Sequence, residues 1–202
     1  MKNKRLLLIF TKNPILGKCK TRLAKAVGEK LALEIYHYLL KHTANVAQKV
    51  EADKCVYYSE NVEKNDYFSE SEFQKKIQYG GNLGERMHNA FQEGFTEKYS
   101  QIIIIGSDML AISAQEINRA FKHLEKYKYV IGPAQDGGYY LLGMRQLHPT
   151  VFRNKKWSSS SVFKETMRNL PTAETAVLEV KNDIDTIEDI DENSVLQKFI
   201  NV

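Results

Sequence analysis

Four acidic residues follow short apolar runs. Asp108 comes after Ile102-Ile103-Ile104-Ile105-Gly106-Ser107, Asp136 after Tyr129-Val130-Ile131-Gly132-Pro133, and Asp183 and Asp185 after Ala176 to Val180. A carboxylate just past a rigid strand is placed to hold a divalent cation, although a plain cap on the next turn needs the same residue type. Asp136 sits beside Gly137, Gly138, Tyr139 and Tyr140. That composition suits a sugar or ribose, through hydroxyl hydrogen bonds and aromatic stacking, or a simple hairpin turn with core tyrosines. Opposite charge is loaded into one loop, where Lys12, Lys18, Lys20 and Arg22 follow Leu6 to Phe10 and flank Pro14 and Gly17. Such a loop can cradle a di- or triphosphate. A Walker A loop is excluded, because Gly17-Lys18 leads into Cys19 and no glycine stands five residues before Gly17.

These residues need a frame, and the pattern around them supplies one. The four isoleucines from Ile102 are β-branched and apolar on both faces, as in the middle of a parallel sheet. Leu6 to Phe10, Cys55 to Tyr58, Ile77 to Tyr79, Tyr129 to Ile131, the run after Gly138, and Ala176 to Val180 read as further strands. Between them lie helical patterns. Ala24 to Val50 forms one long helix or two abutting ones, and Asn82 with Glu85 caps a helix facing inward through Leu83, Met87, Ala90, Phe91, Gly94 and Phe95. Ser113 with Glu116 opens another. The serines after Trp157 are expected to cap a helix ending before Pro171, and Thr186 with Asp189 to open a last helix carrying Ile190, Val195, Leu196 and Phe199. The Gly80-Gly81-Asn82 turn lets a planar ligand or phosphate approach the backbone, or is simply a tight turn and cap. Alternating strands and helices, with no linker or repeat, predict an α/β fold: a single Rossmann-like domain over residues 1–202 with a mixed, mainly parallel sheet flanked by helices.

Composition removes several function classes. A net charge of +4 over 202 residues, with both signs mixed along the chain, suits a phosphate-bearing small molecule and not a nucleic-acid partner. Cys19 and Cys55 form no metal motif, and no stretch reaches transmembrane length, so a cytoplasmic protein with no membrane partner is expected. The G-x-G-x-x-G fingerprint of ordinary dehydrogenases is absent.

The order of motifs resembles a known family. Phe10 to Leu23, Gly80 to Met87, Gly106-Ser107-Asp108, Gly132 to Tyr140, Trp157-Ser158 and Asp183-Ile184-Asp185-Thr186 together resemble the bacterial GT-A-like glycosyltransferases associated with radical-SAM and selenium or arsenosugar genes. They belong to the nucleotide-diphospho-sugar transferase superfamily. The resemblance implies a nucleotide across the carboxyl edge of the sheet, bound by Lys12, Gly17, Lys18, Lys20, Arg22, Gly80, Gly81, Asn82, Arg86 and Ser107. It implies Mg²⁺ or Mn²⁺ on Asp108 and Asp185, with Asp108, Asp136 and Lys20 as the catalytic set. Donor sugar or acceptor would face Asp136, Gly137, Gly138, Tyr139, Tyr140, Trp157 and Ser158. Two positions depart from the family pattern: Asn82 stands where Asp is usual, and Leu110 where Pro is usual.

The leading expectation is therefore a metal-dependent glycosyltransferase that passes a sugar from a nucleotide-diphosphate donor to a small-molecule acceptor. A nucleotidyltransferase would use the same lysines to grip a nucleoside triphosphate and would release pyrophosphate. A third reading is a nucleotide-binding protein without turnover.

Overall fold

The computed structural model describes residues 4–192 and 194–200. Its centre is a seven-stranded sheet, built from β1 (Arg5–Thr11), β2 (Asp53–Tyr58), β3 (Gln74–Ile77), β4 (Gln101–Gly106), β5 (Tyr129–Pro133), β6 (Tyr139–Met144) and β7 (Thr175–Val177). The spatial order is β3-β2-β1-β4-β6-β5-β7. All pairings are parallel except those of β6, which runs antiparallel to both β4 and β5. The isoleucine run is thus the middle strand, as its two-sided apolar pattern predicts.

Alternation along β4 sorts its side chains onto two cores. Ile103 and Ile105 join one, with Leu7 and Ile9, against α2 (Glu29–Gln48) and α4 (Ala114–Lys126). Ile102 and Ile104 join the other, with Leu6 and Leu8, against α3 (Leu83–Thr96). Burying a side chain of this size contributes about 1.5–3 kcal/mol. The Ala24–Val50 pattern resolves into two abutting helices, α1 (Thr21–Val27) and α2, broken at Gly28 with φ 83°. A third core of Leu23, Ile35, Leu39, Ile184, Ile190 and Leu196 ties the C-terminal segment to these helices.

The starts of α3 and α4 follow their capping signals. Asn82 Oδ1 accepts from the Glu85 amide, and Ser113 and Glu116 close a full capping box on α4. Ser113→Ala is expected to cost ~1 kcal/mol, a melting-temperature drop of ~2–4 °C for a domain of this size, measured by thermal unfolding. An unchanged melting temperature would show the box to be dispensable.

Five expectations shift. The third strand covers Gln74–Ile77, not Ile77 to Tyr79, because Gln78 turns its amide side chain back onto the Thr11 and Tyr57 carbonyls. The last strand stops at Val177, with one isolated bridge from Lys181 to Ala134. Ser161 occupies the cap position of α5 (Val162–Asn169) but spends its hydroxyl on Glu165 instead of a backbone amide. Thr186 and Asp189 do form a capping box, yet it opens only a short 3-10 turn over Ile187–Asp189. The last described helix, α6, is Gln197–Ile200. Leu83, predicted inward, is 42% exposed, for a reason that lies in the site.

Candidate active site

The carboxyl ends of β1, β4 and β5 open into one cleft of about 330 Å³. Lys12 and Arg22 enter from the β1 side, Asp108 and Met109 from the end of β4, and Asp136, Gly138, Tyr139 and Tyr140 from the β5–β6 hairpin. Trp157 and Ser158 close it from the segment before α5, and Asp183 and Asp185 from the C-terminal segment. Phe10, Leu83 and Met87 form an apolar wall, which is why Leu83 stays partly exposed at the start of α3.

At the floor, charges from three distant parts of the chain converge. The Lys20 ammonium lies 2.9 Å from Asp108 Oδ2 and 3.9 Å from Asp185 Oδ1, and Arg22 meets the other oxygen of Asp185 at 2.9 Å. The Lys20 side chain is only 4% exposed, while Asp108 and Asp185 keep 40% and 28% of theirs open to solvent. Burial acts to lower the Lys20 ammonium and raise the Asp108 carboxyl, but their mutual attraction outweighs it. Lys20 is held above, and Asp108 below, its ordinary value. Lys20 reaches this position from a left-handed backbone, φ 49°, at the start of α1. A non-glycine residue there is strained, and such strain gathers where a side chain must be aimed.

Local packing explains why the carboxylates face the cleft. Ile184 is buried against α1 and α2 while its neighbours Asp183 and Asp185 turn to the cleft, and its amide donates to the Asp108 carbonyl at 3.3 Å. Lys181 pins the same segment by pairing with Glu116 at 2.7 Å and donating to the Ala111 carbonyl. In the sequence Asp183 reads only as a carboxylate past a strand, with a cap as the plain alternative, and falls outside the implied metal pair, although its D-I-D alternation with Asp185 is a signal for it. Burial, then repulsion from Asp108 and Asp136, pushes its carboxyl up to about 6.

Several candidates support the cleft and do not line it. Ser107 is buried: its hydroxyl donates to Thr11 Oγ1 at 3.1 Å, and its carbonyl accepts from Thr43 at 3.2 Å. Tyr36 of α2 completes this knot, lying 3.3 Å from Ser107 Oγ and taking the Lys12 amide at 3.0 Å. The knot holds the ends of β1 and β4 in register, and a lone tyrosine on a helix face gave no sign of it. Arg86 braces the glycine turn by donating to the Gly80 carbonyl, and Glu85 accepts from the Gly81 amide. Asn82 both accepts the Glu85 amide and donates to the Glu85 carboxylate, a double role that Asp could not fill. Gly80, Gly81, Asn82, Gly17 and Lys18 lie outside the cleft wall, and Lys18 pairs loosely with Glu60 at 3.7 Å. Leu110, the other departure, packs against the third core.

Glycines set the close contacts on the far side. A Cβ at Gly84 would meet the Phe152 carbonyl at 2.4 Å and the Trp157 ring at 2.5 Å, so only glycine lets Trp157 lie against α3. At Gly137 a Cβ would stand 2.1 Å from the Ser160 carbonyl oxygen. Tyr140 turns its hydroxyl to the Glu179 carbonyl, while Tyr139 leans on Met87 with its ring at the cleft.

The donor set is one of hard oxygens, as Mg²⁺ or Mn²⁺ prefers. Lys20 is a stand-in cation between Asp108 and Asp185, which shows that this pair accommodates positive charge. Among the described residues, no group of three or more His, Cys, Asp or Glu is gathered to hold a metal unaided. Substrate phosphate and water would have to complete the shell.

A family model described as "Uncharacterized protein conserved in bacteria (DUF2064)" matches residues 42–159, more than half of the chain. The chain belongs to this family. The matched span holds the glycine turn, Asp108, Asp136 and Trp157, so the DUF2064 region carries much of the cleft. No curated protein matches the sequence. Among solved structures, a provisionally named nucleotide-diphospho-sugar transferase from Desulfovibrio desulfuricans G20 is similar, with a TM-score of 0.88 and 28% identity over 98% of this chain and 94% of that one. The 4-diphosphocytidyl-2C-methyl-D-erythritol synthase from Anaerococcus prevotii DSM 20548 shares the fold at a TM-score of 0.58 and 12% identity, covering 93% of each chain. Rv0371c from Mycobacterium tuberculosis H37Rv, solved in complex with manganese, shares it at 0.54 and 11%, covering 92% of this chain and 95% of that one. The sheet and its helices are therefore a nucleotide-diphospho-sugar transferase and cytidylyltransferase fold. Among the described residues, no helix is long and apolar enough to cross a membrane.

Proposed function

We propose that the cleft binds a nucleotide-diphosphate sugar and transfers its glycosyl group to a hydroxyl of a small-molecule acceptor, with Mg²⁺ or Mn²⁺ bound. The observation that carries this reading is the Lys20, Asp108 and Asp185 cluster at the carboxyl end of β4, facing a cleft walled by Tyr139 and Trp157. Asp108 and Asp185 would hold the metal, which when bound would neutralise charge on the departing diphosphate. Lys12 and Arg22, both at the cleft, take up phosphate charge from the β1 side. Tyr139 and Trp157 offer ring faces to the sugar. As the bond between the anomeric carbon and the phosphate oxygen breaks, the acceptor oxygen forms the new bond to that carbon and its proton passes to a base.

Asp136 suits that last role. It is exposed at the cleft, and its Oδ1 is fixed by the Gly138 amide at 2.8 Å, leaving Oδ2 to the acceptor. Asp136→Asn is expected to lower kcat by ~10²-fold with little change in donor binding, measured by steady-state transfer beside donor-induced thermal shift. Loss of donor binding with kcat kept would make Asp136 a binding residue instead.

The deciding experiment is a thermal-shift panel of nucleotide sugars and nucleoside triphosphates, with and without Mn²⁺, on wild type and Asp108→Ala. Stabilisation by a nucleotide sugar that needs both Mn²⁺ and Asp108, followed by sugar transfer, supports the proposal. Preference for a triphosphate with pyrophosphate release would replace it by nucleotidyl transfer, which the same carboxylates and cations can serve. Metal-independent binding without turnover would replace it by a non-catalytic nucleotide-binding role.

A further inference from the structure

We infer that Lys20 is a resident counter-cation that keeps the Asp108–Asp185 pair closed to free divalent metal and yields it only when a diphosphate arrives. The inference rests on the proposed metal and diphosphate site and adds an order to its filling.

One ammonium, nearly sealed from solvent, lies within 4 Å of oxygens from both carboxylates. Arg22 adds a second positive group on Asp185. A divalent ion entering between Asp108 and Asp185 meets the charge of an ammonium that is itself only 4% exposed, at contact range, so the two cations oppose each other. The repulsion is relieved when phosphate oxygens supply new negative charge. Lys20 then exchanges a carboxylate partner for a phosphate one, and the freed carboxylate oxygens turn to the metal. Lysine suits this exchange, since its ammonium is a point charge on a flexible stem and makes no fixed bidentate contact. Metal and nucleotide are therefore coupled, and by linkage each tightens the other by the same factor.

Mn²⁺ binding, followed by the electron paramagnetic resonance signal of the free ion, tests this without any turnover. Wild type is titrated alone and with ADP, CDP, GDP or UDP, and Mn²⁺ held by nucleotide in solution is subtracted. One of the four is expected to tighten Mn²⁺ binding by ~10-fold or more. Lys20→Met is expected to bind Mn²⁺ alone ~10-fold more tightly than wild type does alone and to lose most of the coupling. The wild-type arm stands even if a variant fails to fold. Equal Mn²⁺ affinity with and without every diphosphate, or a Lys20→Met protein that binds Mn²⁺ no better than wild type, overturns the counter-cation role and leaves the transferase reading intact. No Mn²⁺ binding by any form under any condition overturns both.

Discussion

Asp108→Ala is expected to lower sugar transfer by ~10³-fold, since it removes a charge aimed at the reacting diphosphate. It also strands Lys20. That ammonium would keep Asp185, at 3.9 Å and already shared with Arg22. Breaking a fully buried pair costs about 3–5 kcal/mol, but Asp108 is 40% exposed and water screens the loss. A stability cost of ~1–2 kcal/mol is expected. Urea unfolding and donor-transfer kinetics on one preparation separate the two effects. A variant that keeps transfer within threefold of wild type would remove Asp108 from the chemistry.

The largest structural effect is expected at Gly137. Its φ of 87° is nearly that of Gly28, 83°, yet the surroundings differ: nothing lies within 4 Å of a Cβ at Gly28, while the Ser160 backbone blocks one at Gly137. Gly28→Ala then measures backbone strain alone, ~1–3 kcal/mol, because φ 83° with ψ 157° is a conformation kept almost entirely for glycine. Gly137→Ala adds a clash that only a shift of the segment before α5 can relieve, for a total of ~3 kcal/mol or more. Because that segment carries Trp157 and Ser158 into the cleft, donor binding should weaken along with stability. Paired thermal unfolding of the two variants tests the difference, and equal losses would show that the Ser160 contact is easily relaxed.

Much of the framework was legible in the order of residues, because it depends on near neighbours. Continuous apolar runs marked β1 and β4, with β-branching in the latter. Asn82, Ser113 and Thr186 marked helix or turn starts through hydrogen bonds spanning three residues. The same local logic put Asp108, Asp136 and Asp185 just beyond strands, and the cleft gathers all three. Side-chain direction was not legible in this way. Ser107 and Asp108 are adjacent, yet one is buried in a hydroxyl knot with Tyr36 and the other faces the cleft, because successive positions leaving a strand point to opposite sides. Nor could spacing place Lys20, which lies 88 residues from Asp108 in the chain. Two pairings bring these groups together, β1 beside β4 and Ile184 onto the Asp108 carbonyl. The sequence alone determined which residue types stand at the edge of the sheet. Tertiary structure decided which carboxylate meets which cation, since that choice rests on long-range strand order and on the burial of the Lys20 ammonium between Asp108 and Asp185.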